Sequence, residues 1–272
     1  MYIVHIICRT NSKKGSNKAP TFDISMKINE NDKKTPWQIH FLGDHAILFS
    51  LKEIIDTTIN EEVHAFNFFI QSKKIDAFKD FIPAYHSLTI VYDIIALQNL
   101  INKTIYEFAH ELVNEFEQFK KEQHSFSFKK NHITIPVCYD INFGIDLEKM
   151  AKEKNCSVNE IIEIHTSKSY QVFCIGFMPG FAYMGKVDEK IQVPRHSKPR
   201  PLVTAGSVGI AGAQTGIYPK DAPGGWHIIG RTPLSIFDPI KLALFAPGDT
   251  VSFYPINLNE FNSLQKELNH VV

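Results

Sequence analysis

The residues best suited to chemistry lie in one glycine-rich stretch, GSVGIAGAQTGIYPKDAPGGWHIIGRTP, residues 206–233. Gln214 can pair with an amide or carboxyl group, and Tyr218 can donate a hydrogen bond. His227 can move protons near neutral pH, and Arg231 can hold an anion. A histidine next to a tryptophan on a strand is also commonly structural, so His227 keeps that alternative. From residue types alone, the stretch indicates a ligand or partner face.

Glycine is concentrated around this stretch. Ten of the fourteen glycines fall between Gly176 and Gly230. A β-barrel needs some glycines at corners and bulges, because glycine permits positive φ and close approach of backbones. The surplus predicts loops that pass close to a ligand or to another chain.

A second candidate group is cationic. The segment VPRHSKPRP, residues 193–201, carries Arg195, Lys198 and Arg200 on a proline-stiffened backbone. Arginine binds carboxylate and phosphate in a forked geometry, so the segment could clamp an anion. A solvated run of surface charges is the alternative.

A third group is aromatic. In GFMPGFAYMG, residues 176–185, the side chains of Phe177, Phe181, Tyr183 and Met184 surround a Pro-Gly turn and cannot all point inward. Exposed aromatic residues would form a binding surface. Alternatively, the rings fold back on the barrel as a lid.

The remaining composition excludes several classes of protein. Lys plus Arg equals Asp plus Glu, 29 each, which argues against a protein that coats nucleic acid. The four cysteines form no CxxC pair, so cysteine metal binding is not expected. No Ser-His-Asp order, HExxH, GxxxxGK[ST] or strand-linked GxGxxG pattern is present. The N-terminus is a poor secretory signal and no run is long enough for a membrane span, so we expect a cytoplasmic location.

The first half of the chain predicts an α+β domain. Residues 1–36 are polar and predict an irregular extension. Residues 37–124 read strand-strand-helix-strand-strand-helix, with Asn60 as the expected N-cap of the first helix and a Thr104–Glu107 capping box opening the second. This order predicts a small two-layer α/β sandwich, with two helices on one face of a sheet.

The second half predicts a barrel. Residues 125–132 are expected to form a linker, and residues 133–272 a domain of short apolar strands separated by Gly and Pro. Its first strand, ITIPVCYD, contains a proline, which predicts an edge or bulged strand. Two short helices follow, the second with a Ser157–Glu160 capping box, and a helix is expected over 258–272.

Several motifs in this order resemble those of the KipI family, also called the allophanate hydrolase subunit 1 family. They are PAYHSLTIVYD (83–93), IPVCYD (135–140), IGFMPGFAYMG (175–185), VPR (193–195), AGSVGIAGAQTGIYP (205–219), PGGWHIIGRTP (223–233) and PGD (247–249). The resemblance covers the chain from about residue 38 to its C-terminus. It implies a small α+β domain followed by a cyclophilin-like β-barrel domain.

The resemblance also implies a function and partners. The family includes the 5-oxoprolinase B subunit (PxpB), so we expect a component of an ATP-dependent 5-oxoprolinase that is inactive alone. It would phosphorylate a lactam together with a KipA/PxpC-like subunit, and a PxpA (LamB/YcsF-like) subunit would open the ring. ATP with Mg²⁺ is the expected cofactor, its contact with this chain being left open, and no metal site is expected here. Two other family roles are a KipI-like inhibitor of a sporulation histidine kinase and a carboxyltransferase component of urea or allophanate metabolism.

The resemblance finally supports specific positions. The expected catalytic residues are Gln214 for the lactam amide, Tyr218 for its oxygen, Arg231 for a carboxylate or phosphoryl group, and His227. The expected substrate- and phosphate-binding residues are Arg195, Arg200, Gly212 and Gly216. The expected partner interface consists of Phe177, Pro179, Phe181, Tyr183 and Trp226.

Overall fold

The computed structural model describes residues 35–122, 130–240 and 242–270. Most of the predicted extension and the first part of the predicted linker therefore lie outside the described residues. The first range folds as a four-stranded antiparallel sheet, with strand order β1-β2-β4-β3 and three helices. Its elements are β1 (Gln38–Phe41), β2 (Ala46–Ser50), α1 (Thr57–Ser72), β3 (Phe78–Pro83), β4 (Ser87–Tyr92), α2 (Ile94–Leu100) and α3 (Ile105–Glu122).

The core of this part is rich in aromatic residues. The ring of Phe66 on α1 lies 5.1 Å from Phe49 on β2 and 4.9 Å from Phe116 on α3, between ring centroids. The predicted order of two strands, a helix, two strands and a helix is confirmed. The short helix α2 was missed; the side chain of Asp93 caps it by accepting from the backbone N–H of Ala96.

The start of α1 corrects one prediction. Asp56, not Asn60, is the N-cap, because its carboxylate accepts from the backbone N–H groups of Thr58 (2.9 Å) and Ile59 (3.1 Å). Asn60 lies one turn later and is fully buried. The predicted capping box at the start of α3 is confirmed, since the Thr104 N–H donates to the Glu107 carboxylate at 2.9 Å.

Asn60 instead joins the two halves of the chain. Its side-chain amide donates to the carbonyl oxygen of Phe173, at 3.2 Å, on a barrel strand. Its side-chain oxygen accepts from Gln171 Nε2 on the same strand, at 3.1 Å. The amide also reaches the carbonyl of Ala84, at 3.0 Å, in the turn between β3 and β4. One buried carboxamide thus ties α1 to both sheets.

The second half contains a closed barrel with strand order β10-β7-β6-β15-β5-β12-β9. Two small two-stranded sheets, β8 with β11 and β13 with β14, lie outside it. The elements are β5 (His132–Cys138), α4 (Leu147–Lys154), α5 (Val158–Thr166), β6 (Ser169–Ile175), β7 (Ala182–Gly185), β8 (Arg200–Val203), β9 (Ser207–Ala211), β10 (Gln214–Ile217), β11 (Ala222–Gly224), β12 (His227–Arg231), β13 (Phe237–Asp238), β14 (Leu242–Ala243), β15 (Thr250–Ile256) and α6 (Leu258–His270).

The prediction of an edge or bulged strand at ITIPVCYD is wrong. Strand β5 lies inside the closed barrel and pairs in parallel with β15 over its whole length, without a register shift. On its other side the pairing with β12 is limited to Cys138 opposite Arg231. Because that ladder is so short, the missing N–H of Pro136 costs the barrel little.

The buried histidine His165 is held by hydrogen bonds on both ring nitrogens. The hydroxyl of Thr215 donates to the Gly209 carbonyl at 3.0 Å, so it must accept from His165 Nε2, which is 3.0 Å away. His165 Nδ1 then accepts from the Tyr139 hydroxyl at 2.8 Å. Burial lowers the pKa of His165 to about 3, so this imidazole is neutral and structural. It lies on α5, whose predicted Ser157–Glu160 capping box is confirmed.

Candidate functional site

The glycine-rich strands carry an aromatic cluster on the outer face of the barrel. Ile217 belongs to the interior core, and the next residue, Tyr218, belongs to a separate cluster with Phe181 and Trp226. The rings of Phe181 and Trp226 meet edge to face at 5.3 Å. A Cβ at Gly216 would come within 3.2–3.3 Å of both rings and 2.8 Å of a backbone oxygen. The absence of a side chain at Gly216 therefore makes room for side chains of the same chain.

The five residues predicted for a partner interface differ in exposure. Phe181 and Trp226 are buried, at 1% and 4% exposure, which matches the lid alternative for these two rings. Phe177 is 57% exposed, Pro179 is exposed and Tyr183 is half-buried. Of the five, Phe177, Pro179 and part of Tyr183 are therefore accessible on the surface. Their role in an interface stays a prediction.

Gln214, a predicted catalytic residue, lies away from Arg231, whereas the Tyr218 N–H donates to the carbonyl of Ser207, the residue that pairs with Arg231. Gln214 pairs with Ala211, whereas Arg231 pairs with Ser207 at the other end of β9. Four residues of strand separate the two positions by about 13 Å. Tyr218 is buried, and this burial raises its pKa to about 12, so the phenol is neutral.

Gly212, one of the predicted binding glycines, is exposed in the turn between β9 and β10. Its φ of +57° is the left-handed conformation that favours glycine, and a Cβ there would meet no described atom within 4 Å. Its N–H donates to the Val193 carbonyl at 2.6 Å. The turn itself therefore explains this glycine.

Arg200 and Arg231, in contrast, come together. Both line a cleft of about 190 Å³ between the loop after β5 and strands β8, β9 and β12. The lining residues are Asn142, Phe143, Ile145, Arg200, Leu202, Val203, Thr204, Ser207, Ile228 and Arg231. Among the described residues that line it, none is acidic. Arg195 lies elsewhere, with its Cζ 5.8 Å from the Trp226 ring.

Arg231 presents its guanidinium fork in this cleft. Its Nε donates to the Ala205 carbonyl at 2.9 Å, which fixes the plane of the group. Its Cζ lies 5.7 Å from the centroid of the Phe143 ring. Within residues 35–122, 130–240 and 242–270, no acceptor is bonded to its two Nη nitrogens. The side chain is held in place and retains donors for a carboxylate or phosphoryl group.

Arg200 is bound to a carboxylate that sequence reasoning missed. Its Nη2 donates to Asp146 Oδ1 at 2.5 Å, and its Nη1 to the Trp226 carbonyl at 3.4 Å. The other oxygen, Asp146 Oδ2, accepts from the Ile228 N–H at 2.7 Å. Asp146 directly precedes α4 and looks in the sequence like a helix cap, but it makes no side-chain capping bond. Only the fold reveals its partner, 54 residues away.

Two histidines stack behind the wall of the cleft. The rings of His196 and His227 lie 3.8 Å apart, and His196 Nε2 is 3.4 Å from Asp146 Oδ1. Burial is the main cause that lowers the pKa of His227, so it is uncharged at neutral pH. His227 does not line the cleft. Sequence reasoning missed His196, which carried no signal beyond its cationic neighbours.

Metal and membrane features are both missing from the described residues. These residues contain no cluster of three or more His, Cys, Asp or Glu side chains able to hold a metal ion. None of their helices combines the length and apolar character needed to cross a membrane.

The amino-acid sequence matches a family model and is similar to bacterial 5-oxoprolinase B subunits. The family model for the carboxyltransferase domain, subdomain C and D, matches residues 37–245. The 5-oxoprolinase B subunit of Bacillus subtilis (strain 168) is 38% identical over 236 residues, which are 86% of this chain and 98% of that protein. The 5-oxoprolinase B subunit of Escherichia coli O157:H7 is 42% identical over 149 residues, 54% of this chain and 68% of that protein.

A solved structure supports the same relationship at the level of the fold. The K. lactis urea amidolyase superposes with a TM-score of 0.68 at 18% identity, over 85% of this chain and 15% of that one. The predicted architecture, an α+β part followed by a β-barrel, is therefore confirmed. With motifs, family model and relatives in agreement, the chain belongs to the carboxyltransferase subdomain C and D family, which includes the B subunit of 5-oxoprolinase.

Proposed function

We propose that this chain is the B subunit of an ATP-dependent 5-oxoprolinase, which converts 5-oxoproline, ATP and water into glutamate, ADP and phosphate. Similarity to the Bacillus protein over nearly its whole length supports this assignment. The structural observation that carries it is the cleft in which Arg231 presents free guanidinium donors with no acid among the described lining residues. A small carboxylate such as 5-oxoproline matches that fork.

The size of the cleft favours the lactam over the nucleotide. Sites that enclose drug-sized ligands begin at about 300 Å³. The cleft measures about 190 Å³, which suits a compact acid and is too small for ATP. We therefore infer that ATP and its Mg²⁺ are held mainly by a KipA/PxpC-like partner, and that this chain binds and orients the substrate carboxylate.

This assignment changes the roles of the predicted residues. Arg231 binds the carboxylate directly, and Arg200 forms the facing wall. The strand partners of Gln214 and Arg231 are about 13 Å apart along β9. Gln214 therefore does not act on the same small molecule within this cleft. Tyr218 contributes to the aromatic cluster, since its ring centroid lies 5.4 Å from that of Phe181.

The test is reconstitution with candidate partners. The chain is coexpressed with KipA/PxpC-like and PxpA-like subunits, and ATP hydrolysis that depends on 5-oxoproline is measured. Arg231→Met should lower kcat/KM for 5-oxoproline by about 10- to 100-fold, mainly through KM, because a charge-assisted bond to the substrate is lost. Lys190→Met removes an exposed cation outside the cleft and serves as the matched control.

Two outcomes would contradict the proposal separately. A correctly assembled complex that shows no 5-oxoproline-dependent hydrolysis would refute the function. An active complex in which Arg231→Met behaves like Lys190→Met would refute the cleft as the substrate site. Urea-dependent hydrolysis instead of 5-oxoproline-dependent hydrolysis would favour the carboxyltransferase alternative.

A further inference from the structure

The two arginines of the cleft differ in their electrostatic state. Arg200 is bonded to the carboxylate of Asp146 at 2.5 Å, and that carboxylate is almost completely buried. Arg231 has a carbonyl partner for Nε and no acidic partner among the described residues. One of the two positive charges is therefore balanced inside the protein, and the other faces the cleft.

Asp146 is held firmly enough to keep this balance. Its Oδ2 accepts from the Ile228 N–H at 2.7 Å, and its own N–H donates to the Ile228 carbonyl at 3.0 Å. Arg200 cannot swing toward a ligand without leaving a buried carboxylate unpaired, which is strongly unfavourable. The pair therefore stays closed when an anion enters.

Other charged and titratable groups lie around Asp146. His196 Nε2 is 3.4 Å from Asp146 Oδ1, and the His196 ring stacks on that of His227, whose pKa is lowered mainly by burial. On the adjoining helix α4, Lys149 and Glu153 pair with each other at 3.7 Å, so their charges cancel.

We propose that Asp146 sets the net charge of the cleft near +1 and thereby restricts it to small anions with a single negative charge, such as a monocarboxylate. A phosphate dianion would bring a second charge that finds no free cation among the described residues that line the cleft. This inference deepens the proposed function, on which it rests for its natural ligand, and it assigns Asp146 as a specificity-determining residue that acts through Arg200.

The test measures binding to the full chain at pH 8 and low salt. The dissociation constants of 5-oxoproline and of inorganic phosphate, mainly a dianion at this pH, are determined by calorimetry or NMR. The wild-type chain should bind 5-oxoproline more tightly than phosphate. Asp146→Asn releases the charge of Arg200 and should raise the affinity for phosphate about tenfold, with a smaller gain for 5-oxoproline. Asp146→Asn combined with Arg200→Met should return the ratio toward that of the wild type.

A second variant keeps the test independent of the stability of Asp146→Asn. Leu202 lines the cleft and is 60% exposed, so Leu202→Lys adds a cation without touching the buried pair. It should also shift the ratio toward phosphate, and Leu202→Gln should not.

The proposal is overturned if folded Asp146→Asn keeps the wild-type ratio, or if Leu202→Lys matches Leu202→Gln. It is also overturned if the wild-type chain prefers phosphate or binds neither anion at millimolar concentration. The proposed function is judged separately by the reconstituted complex. An active complex whose variants keep the wild-type ratio of phosphate to 5-oxoproline affinity refutes only this inference. An inactive complex whose variants show the expected shifts in that ratio refutes only the proposed function.

Discussion

His165 should make the protein sensitive to mild acid in a way that can be calculated. In the unfolded chain this imidazole takes up a proton below its ordinary pKa of 6.5, whereas in the folded barrel burial lowers the pKa to about 3. Acid therefore stabilises the unfolded state. Above pH 6.5, His165 does not change the free energy of unfolding. Below pH 6.5, its contribution lowers this free energy by about 1.4 kcal/mol per pH unit, until about pH 3.

Between pH 7 and pH 5 the loss assigned to His165 is about 2 kcal/mol. His165→Gln separates this loss from other acid effects, because a carboxamide can donate to Thr215 and accept from Tyr139 but does not titrate. The variant also loses the ring stack on Phe253, at 4.6 Å, which lowers its stability equally at both pH values.

The assay is urea unfolding of wild-type and His165→Gln protein at pH 7 and pH 5, followed by circular dichroism. The stability difference between them should shrink by about 2 kcal/mol at pH 5, since only the wild type loses stability through this residue. Other histidines whose pKa is lowered by burial, such as His64, are present in both proteins and cancel. A difference that is the same at both pH values would refute the neutral, buried imidazole.

Two further predictions concern packing. Gly216→Ala should destabilise the chain by about 2–3 kcal/mol in urea unfolding, because the new Cβ meets a backbone oxygen at 2.8 Å; Gly212→Ala, in open space, should cost only about 1 kcal/mol of backbone strain, and equal costs would contradict the packing explanation. Asn60→Ala should cost about 2–3 kcal/mol, because it removes the amide donor to the Ala84 carbonyl and the acceptor for Gln171, and leaves His64 as the remaining side-chain donor to the Phe173 carbonyl. Asn67→Ala on the same helix, which loses one exposed bond, should stay within about 0.5 kcal/mol, and a similar loss in both would argue against the buried tie.

Local features of the fold were predictable from the sequence, and long-range partners were not. The capping boxes that begin at Thr104 and Ser157 each depend on residues three positions apart, so a local pattern contains the information. Asn60 has the residue type and position of a cap, and its true partner is 113 residues away. Asp146 likewise resembles a cap and instead binds Arg200. Local sequence cannot distinguish a polar side chain used at a helix end from one used across the fold.

The candidate site divides in the same way. Arg200 and Arg231 line one cleft only because the folded chain brings β8, β9 and β12 together. The motifs alone do not show that these two arginines are neighbours. The glycine excess predicted loops close to a ligand or to another chain, but composition does not say what approaches each glycine. At Gly216 it is the rings of Phe181 and Trp226, which belong to the chain itself. Composition alone could not separate that packing from a ligand.

The parallel pairing of β5 with β15 has a consequence for synthesis on the ribosome. His132 and Thr250, which begin these neighbouring strands, are 118 residues apart, whereas the four strands of the first sheet follow one another within residues 38–92. The first sheet can therefore form early, and the barrel closes only when one of its last-made segments emerges. Until then the edges of β5 and β6 that β15 will cover remain open to other chains. A nascent chain stalled before Thr250 would thus be the form most exposed to aggregation and most dependent on chaperones.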